Sequence, residues 1–204
     1  MIYEEPIPHY IIKGDPLMYA RGLKTFTKNK RNLNYKKNIR QNSPINDEKL
    51  KKYLEGVLSN AYISFKPYLQ KAYPKWVLGE PNFKTYYSIN PASDKPFNPR
   101  MWHLDTGEKV LIGLWYAKHP DDDAGGDLYI SDRKKYKKIP YDTNNLVIIP
   151  NLPNAWHSVS KRQPSKYDRL FFNFMMTHNG DHLHDYRRNA DGSDEFKPIT
   201  NNYK

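Results

Sequence analysis

From residue 81 onward the chain reads as one short apolar run after another, each cut off by turn-forming residues. The runs are "FKTYYSI", "WHLD", "VLIGLWYA", "DLYIS", "NLVIIP", "AWHSVS" and "RLFFNFMMTH"; the breaks are "NPASDKPFNP", "HPDDDAGG", "YDTN" and "NLPN". Runs this short, rich in β-branched and aromatic residues and bounded by Pro, Gly, Asn and Asp, read as strands. A succession of them hides its apolar faces by folding into two stacked sheets. The pattern predicts a jelly roll (double-stranded β-helix) or a related sandwich.

A helix precedes the strands. Leu50, Tyr53, Leu54, Val57, Leu58, Ala61, Tyr62 and Phe65 recur at three- and four-residue steps, which places them on one helix face. "SPINDE" supplies polar start signals and early acids. Pro67 is expected to bend or end the helix, and "YPKW" at 73–76 closes the segment. Residues 1–45 carry prolines at 6, 8 and 16 and then the basic, Asn-rich "KNKRNLNYKKNIRQN", so they are expected to form an irregular arm. The expected class is mainly β with N-terminal helices (α+β). One domain over 1–204 is expected: the arm (1–45), a buttressing helix region (46–80), the jelly-roll core (81–178) and a C-terminal tail (179–204).

At 38% hydrophobic and 14% aromatic, the 204 residues suffice for one substantial core. The formal charge of +11 raises the question of an anionic partner. Basic residues are nevertheless spread along the chain, as on a lysine-coated soluble surface. The densest run, "RKKYKK" at 133–138, falls in an expected hairpin or loop. The absence of cysteine excludes disulfides, thiolate zinc sites and cysteine nucleophiles. The first residues lack a basic segment followed by a long apolar one, and no run is long enough to span a bilayer, so a cytoplasmic setting without a membrane partner is expected.

Chemistry enters at "RMWHLDTG", residues 100–107. In an extended strand, side chains at i and i+2 share a face, so His103 and Asp105 are expected to point the same way. Both can ligate a divalent metal, and a third ligand has to come from elsewhere. His119 lies in the polar turn "KHPDDDAGG" and reads as a surface residue. His157, in "NAWHSVS" after an Asn-Pro turn and an apolar strand, is placed near the start of a buried strand. Two histidines and one carboxylate leave three positions open on a metal, the facial arrangement of non-haem Fe(II) oxygenases. Arg169 opens the most apolar strand, where a buried guanidinium is costly unless an anion meets it, and its planar fork suits a carboxylate. The bland reading of Arg169 is a residue at the strand mouth, reaching solvent or pairing with Asp168.

The segment from Tyr86 to Met176 resembles the catalytic core of the 2-oxoglutarate- and Fe(II)-dependent oxygenases, closest to the prolyl 4-hydroxylase branch. The resemblance rests on an ordered set: His103-x-Asp105, Tyr116, Gly125-Gly126-x-Leu128, His157 and Arg169. It implies that His103, Asp105 and His157 bind iron and that Arg169 pairs with the distal carboxylate of 2-oxoglutarate. Tyr116 would donate its phenol to the same carboxylate, and Tyr87, or its neighbour Tyr86, would line the pocket. Arg169 follows the distal histidine at a longer interval than the family's basic residue does, which leaves Lys161, Arg162 and Lys166 as alternatives.

The chemistry the family implies uses Fe(II), 2-oxoglutarate and O2, and releases succinate and CO2 as a C–H bond is hydroxylated. Related halogenases replace the carboxylate ligand with a small residue, so Asp105 points to hydroxylation. A prolyl or other peptidyl substrate is the default expectation, with a free amino acid or another small molecule as alternatives. The rivals are an oxygenase acting on nucleic acid, with the arm and "RKKYKK" gripping phosphates, and a non-catalytic metal-binding jelly roll. His178, His182 and His184, with Asp181 or Asp185, could form a second metal site, although a polar exit from the last strand explains them more simply.

Overall fold

The computed structural model describes residues 7–30, 41–179, 182–188 and 194–198. The described elements begin with β1 (Tyr10–Lys13), α1 (Pro16–Lys30), β2 (Gln41–Pro44) and α2 (Glu48–Ala72). The strands β3 (Pro81–Asn90), β4 (Arg100–His103), β5 (Lys109–Tyr116), β6 (Leu128–Ser131) and β7 (Tyr136–Ile139) follow. The chain continues through β8 (Asn145–Pro150), β9 (Trp156–Val159), β10 (Arg169–His178), β11 (His184–Arg188) and β12 (Asp194–Pro198).

α2 forms where the periodicity placed it. Asp47 caps it, its carboxylate accepting from the Leu50 amide at 3.0 Å, with Glu48 in the first turn and Lys71 in the last. Leu50, Leu54, Leu58, Ala61, Phe65 and Leu69 form its buried stripe, each Leu or Phe contributing roughly 1.5–3 kcal/mol by leaving water. Pro67 does not end the helix; α2 continues through it to Ala72. The carbonyl that loses its helical partner is that of Ile63, on the exposed side of α2, where the loss costs least.

The expectation of an irregular 1–45 arm is also corrected. Asp15 accepts from the Met18 amide at 2.8 Å and Pro16 takes the first helical position, so α1 begins on strong start signals. Its buried face runs through Met18, Gly22 and Phe26. Gly22 lies where the Phe172 ring passes: a Cβ there would stand 2.7 Å from Phe172 Cζ. β1 and β2 flank the same body by pairing with β8 and β3. The most basic part of the arm, residues 31–40, lies outside the described residues.

Two antiparallel sheets make the jelly roll. The larger has the order β1-β8-β5-β10-β3-β2, and the smaller β4-β9-β6-β7. Central β10 is buried almost throughout and pairs along its whole length with β3. Its side chains alternate: Phe172 packs on Phe26 of α1, while Arg169, Phe171, Asn173 and Met175 line a cavity facing the small sheet. The helices therefore cover one face of the large sheet, and the other face is left to form a site with the small sheet. Among the described residues no helix is long and apolar enough to cross a membrane.

Candidate metal centre

β4 and β9 are neighbours in the small sheet, and His103 and His157 are direct cross-strand partners. Their ring centroids are 4.2 Å apart. Each ring is oriented alike: His103 Nδ1 contacts the Met101 carbonyl at 2.8 Å and His157 Nδ1 the Ala155 carbonyl at 3.1 Å. Donation from Nδ1–H to these carbonyls leaves both Nε2 atoms with lone pairs facing the cavity, the tautomer a metal ligand needs.

Asp105 completes the group by a different route from the one the sequence suggested. β4 ends at His103, so Asp105 stands in the following loop rather than two residues along a strand. Asn151 secures that loop, donating to the carbonyls of Thr106 at 3.0 Å and Lys109 at 2.9 Å. One Asp105 oxygen, Oδ1, is held by Lys109 Nζ, while Oδ2 lies 3.2 Å from His157 Nε2. Ligand atoms of His103, Asp105 and His157 all lie within 4.8 Å of one another, the one such cluster among the described residues. Burial alone would raise the Asp105 pKa, but the charges of His157, Lys109 and His103 outweigh it and hold the carboxyl well below its usual range. His103 is lowered to about 3, first by burial and then by the neighbouring His157.

An inner cavity of about 90 Å³ joins this cluster to Arg169. Arg169 is 2% exposed and donates from Nε to the Gly126 carbonyl at 3.0 Å and from Nη1 to Asn90 Oδ1 at 3.3 Å. Gly126, at φ +95°, comes so close that a Cβ would stand 2.9 Å from Arg169 Cδ. Tyr116, Tyr141 and Phe171 surround the guanidinium, with ring centroids 5.3, 4.9 and 4.7 Å from Cζ. Arg169 Nη2 and the Tyr116 hydroxyl are buried beside each other, and neither meets a carboxylate among the described residues. A cation and a phenol left so in a closed space are matched to an anion.

The alternative anchors are occupied or turned away. Arg162, 1% exposed, gives Nη2 to both Asp122 oxygens at 3.1 and 3.0 Å and Nη1 to the Gly125 carbonyl. Lys161 and Lys166 are exposed. Tyr87 does not line the cavity: it lies on the helix side of β3, against Phe26 and Phe172, because strand alternation sends it opposite to Asn90. Tyr86 is not among the lining residues either.

The remaining histidines take structural places. His119 stacks on Tyr167 at 4.1 Å near the surface. Trp76 donates to His178 Nε2 at 3.4 Å, His184 contacts Asn151 Oδ1 at 3.2 Å, and His182 is exposed. Asp181 and the Asp185 side chain lie outside the described residues. Sequence reasoning missed Lys109, Asn90 and Asn151, whose roles arise from tertiary proximity; no local motif marks them.

No family model and no curated protein matches the chain. Solved structures do match it. A prolyl hydroxylase from Trichoplax adhaerens, in complex with a hypoxia inducible factor oxygen degradation domain peptide fragment, is 15% identical over 83% of each chain, with a TM-score of 0.57. A Pseudomonas putida prolyl-4-hydroxylase is 15% identical over 87% of this chain and 95% of its own, with a TM-score of 0.57. The viral collagen prolyl hydroxylase of Paramecium Bursaria Chlorella virus-1, in a 2OG complex, is 9% identical over 84% of this chain and 96% of its own, at the same TM-score of 0.57. The chain has the fold of these prolyl hydroxylases.

Proposed function

We propose that the protein is an Fe(II)- and 2-oxoglutarate-dependent dioxygenase that hydroxylates a C–H bond of a prolyl, other peptidyl or amino-acid substrate. One observation carries the reading: a buried His-Asp-His cluster shares a cavity with buried Arg169, which meets no carboxylate among the described residues and has the Tyr116 ring over its guanidinium. The donor set fits the groups it would receive. Two imidazole nitrogens and a carboxylate suit ferrous iron and leave positions open, and the guanidinium and phenol suit a dicarboxylate's far end. Bound there, iron, 2-oxoglutarate and O2 would supply an oxidative decarboxylation that places one oxygen atom in succinate and the other in the substrate hydroxyl, with release of CO2.

The chain's own residues bind and orient. The Met101 and Ala155 carbonyls hold the two imidazoles with Nε2 turned inward. Lys109 occupies Asp105 Oδ1 and leaves Oδ2 for the metal. Burial pushes the Tyr116 phenol up to about 12, despite the opposing charge of Arg169, so it keeps its proton and serves as a donor beside that cation. Ile112, Leu128, Phe171 and Met175 line the same cavity with apolar surface, which keeps bulk water from the reacting groups.

The peptide bound to the Trichoplax neighbour supports a peptidyl substrate here. The test is succinate release by the iron-loaded protein against a panel of peptides, free amino acids and oligonucleotides. Release that depends on a peptide or amino acid is expected. Release with oligonucleotides alone would transfer the reading to nucleic acid, and none with any substrate would favour a non-catalytic metal-binding protein.

A further inference from the structure

The small sheet has a second face. Leu128, His103 and His157 turn toward the metal cavity, so strand alternation turns their neighbours Trp102, Tyr129 and Ser158 the other way. Cross-strand register sets Ser158, Tyr129 and Lys138 in one row on that outer face, and Trp156, Ser131 and Tyr136 in the next. The described helices pack on strands of the large sheet and cover none of it. A groove of about 400 Å³ crosses this face between Trp102, Tyr129 and Tyr136, with Asn98, Ser158 and Ser160 among its walls. Tyr136 is 70% exposed and Trp102 42%, and the Tyr129 and Tyr136 ring centroids stand 5.8 Å apart.

Cations flank the rings. The turn after β6 and the start of β7 read "RKKYKK", five cations in six residues. Arg133, Lys134, Lys135 and Lys138 are exposed, and the Arg133 guanidinium lies 3.9 Å from the Trp156 ring centroid on the outer face. No acidic residue lines the groove among the described residues. Of the nearby carboxylates, Asp132 accepts from the Lys134 and Lys135 amides at 2.8 and 2.7 Å, and Asp127 pairs with Lys138 at 2.9 Å. Lys138 stays 55% exposed in that pair, and exposed pairs are weak, so a phosphate can take its ammonium over. Lysines on an edge strand keep other sheets from pairing with it, but that role leaves the exposed rings unexplained. An anionic bilayer attracts rings and lysines too, through side chains that project into its headgroups. Here the rings wall a hollow beside amide and hydroxyl groups, which matches the faces and edges of bases.

We propose that this outer face binds a single-stranded polynucleotide, with bases stacked on Tyr136, Tyr129 and Trp102 and phosphates held by the cations of residues 133–138. Stacking on aromatic rings beside a basic track is the mode of strand binding that tolerates any sequence. A duplex hides its base faces and gains nothing from the rings. The formal charge of +11 draws a polyanion toward the chain, and the groove without acids is where it settles. Strand and metal would occupy opposite faces of one sheet, so neither site depends on the other.

The experiment follows labelled mixed-sequence RNA and DNA dodecamers by fluorescence anisotropy as the full chain is added, first in chelator and then with Mn(II) and 2-oxoglutarate. Both single strands are expected to bind, a duplex of the same sequence at least fivefold more weakly, and the cofactors to leave the affinity unchanged. A preference for RNA or for DNA supports the proposal equally and says which strand the face takes. The logarithm of the affinity should fall with the logarithm of salt by roughly 0.7 for each phosphate held. Tyr136→Ile, which keeps a strand-forming side chain but no ring, should weaken binding at least fivefold at an unchanged salt slope, and Tyr136→Phe should restore it. Lys134→Glu should weaken binding at least fivefold and lower the slope. Lys52→Glu, the same charge change on the exposed side of α2, should leave both within twofold. No binding, a duplex bound as tightly, an indifferent Tyr136→Ile, or equal losses in the two glutamate variants overturns the proposal. So does displacement of the strand by Mn(II) with 2-oxoglutarate, which would put it on the metal face. Phosphatidylserine vesicles that outcompete both strands in a Tyr136-dependent way overturn it as well.

Discussion

Arg162 and Arg169 are both almost wholly buried, yet Arg162 alone meets a carboxylate. Replacing Arg162 with Met leaves Asp122 charged and uncompensated in the interior, a loss of roughly 3–5 kcal/mol. Replacing Arg169 with Met removes a buried cation along with its two bonds, so its cost in stability is the smaller of the two. Denaturant unfolding of both variants checks that order. Arg169→Met should also weaken 2-oxoglutarate binding at least tenfold while Mn(II) binding survives; an unchanged cosubstrate affinity would remove Arg169 as the anchor.

His103→Ala and His157→Ala should each abolish tight Mn(II) binding, followed by calorimetry or by the Mn(II) resonance signal. Neither imidazole is needed to close the main core, so far-UV circular dichroism should stay as in the parent. Tight metal binding retained in either variant would move the centre elsewhere.

Acid should weaken the metal-free protein over a defined window. His103 takes its proton only near pH 3 in the folded chain but near its ordinary value of about 6.5 when unfolded. Between those values the unfolded chain binds more protons, so stability rises with pH and is lost as pH falls. Asp105, held below the usual carboxylate range, acts in the same direction at the acid end. Urea midpoints measured in chelator from pH 4 to 7 should show this slope, and His103→Asn should flatten it.

Asp47 both caps α2 and pairs with Arg21 of α1 at 2.7 Å. Asp47→Ala should cost about 1 kcal/mol, within the usual range for a lost cap, and lower the melting temperature. A variant as stable as the parent would show that α2 is held by its buried stripe alone.

Gly126→Ala should act on Arg169 at a distance from the metal. A residue with a Cβ is strained by roughly 1–2 kcal/mol in left-handed backbone, and this Cβ would press on the Arg169 side chain. Weaker 2-oxoglutarate binding with unchanged Mn(II) affinity is the expected pair of results in a titration of each ligand. Equal losses in both would point to general unfolding instead.

Alternation and turn chemistry made the strands legible, and the three metal-ligand candidates could be read because each sits in or beside such a strand. Other features depend on contacts that cross the chain. α1 was hidden because the prolines at 6, 8 and 16 and the basic, Asn-rich run mark the segment as irregular, whereas Pro16 takes the first helical position and Gly22 lets the helix approach Phe172. Asp105 was expected on a strand and stands in a loop secured by Asn151. Tyr87 was assigned to the wrong face of its strand, since nothing in "KTYYSI" reveals which alternate set turns toward the helices. Arg162 and Arg169 could be separated only after Asp122, forty positions upstream of Arg162, was found against its guanidinium.

β4 registers with β9 only at Arg100↔Val159 and His103↔His157, with a shift between the two. A divalent ion gripping both imidazoles would rivet this short seam, joining chain positions fifty-four apart. By mass action an ion that binds only the closed seam adds about 2.7 kcal/mol at a hundredfold excess over its dissociation constant. The edge of the small sheet would then be fastened by the same ion that the centre holds for chemistry.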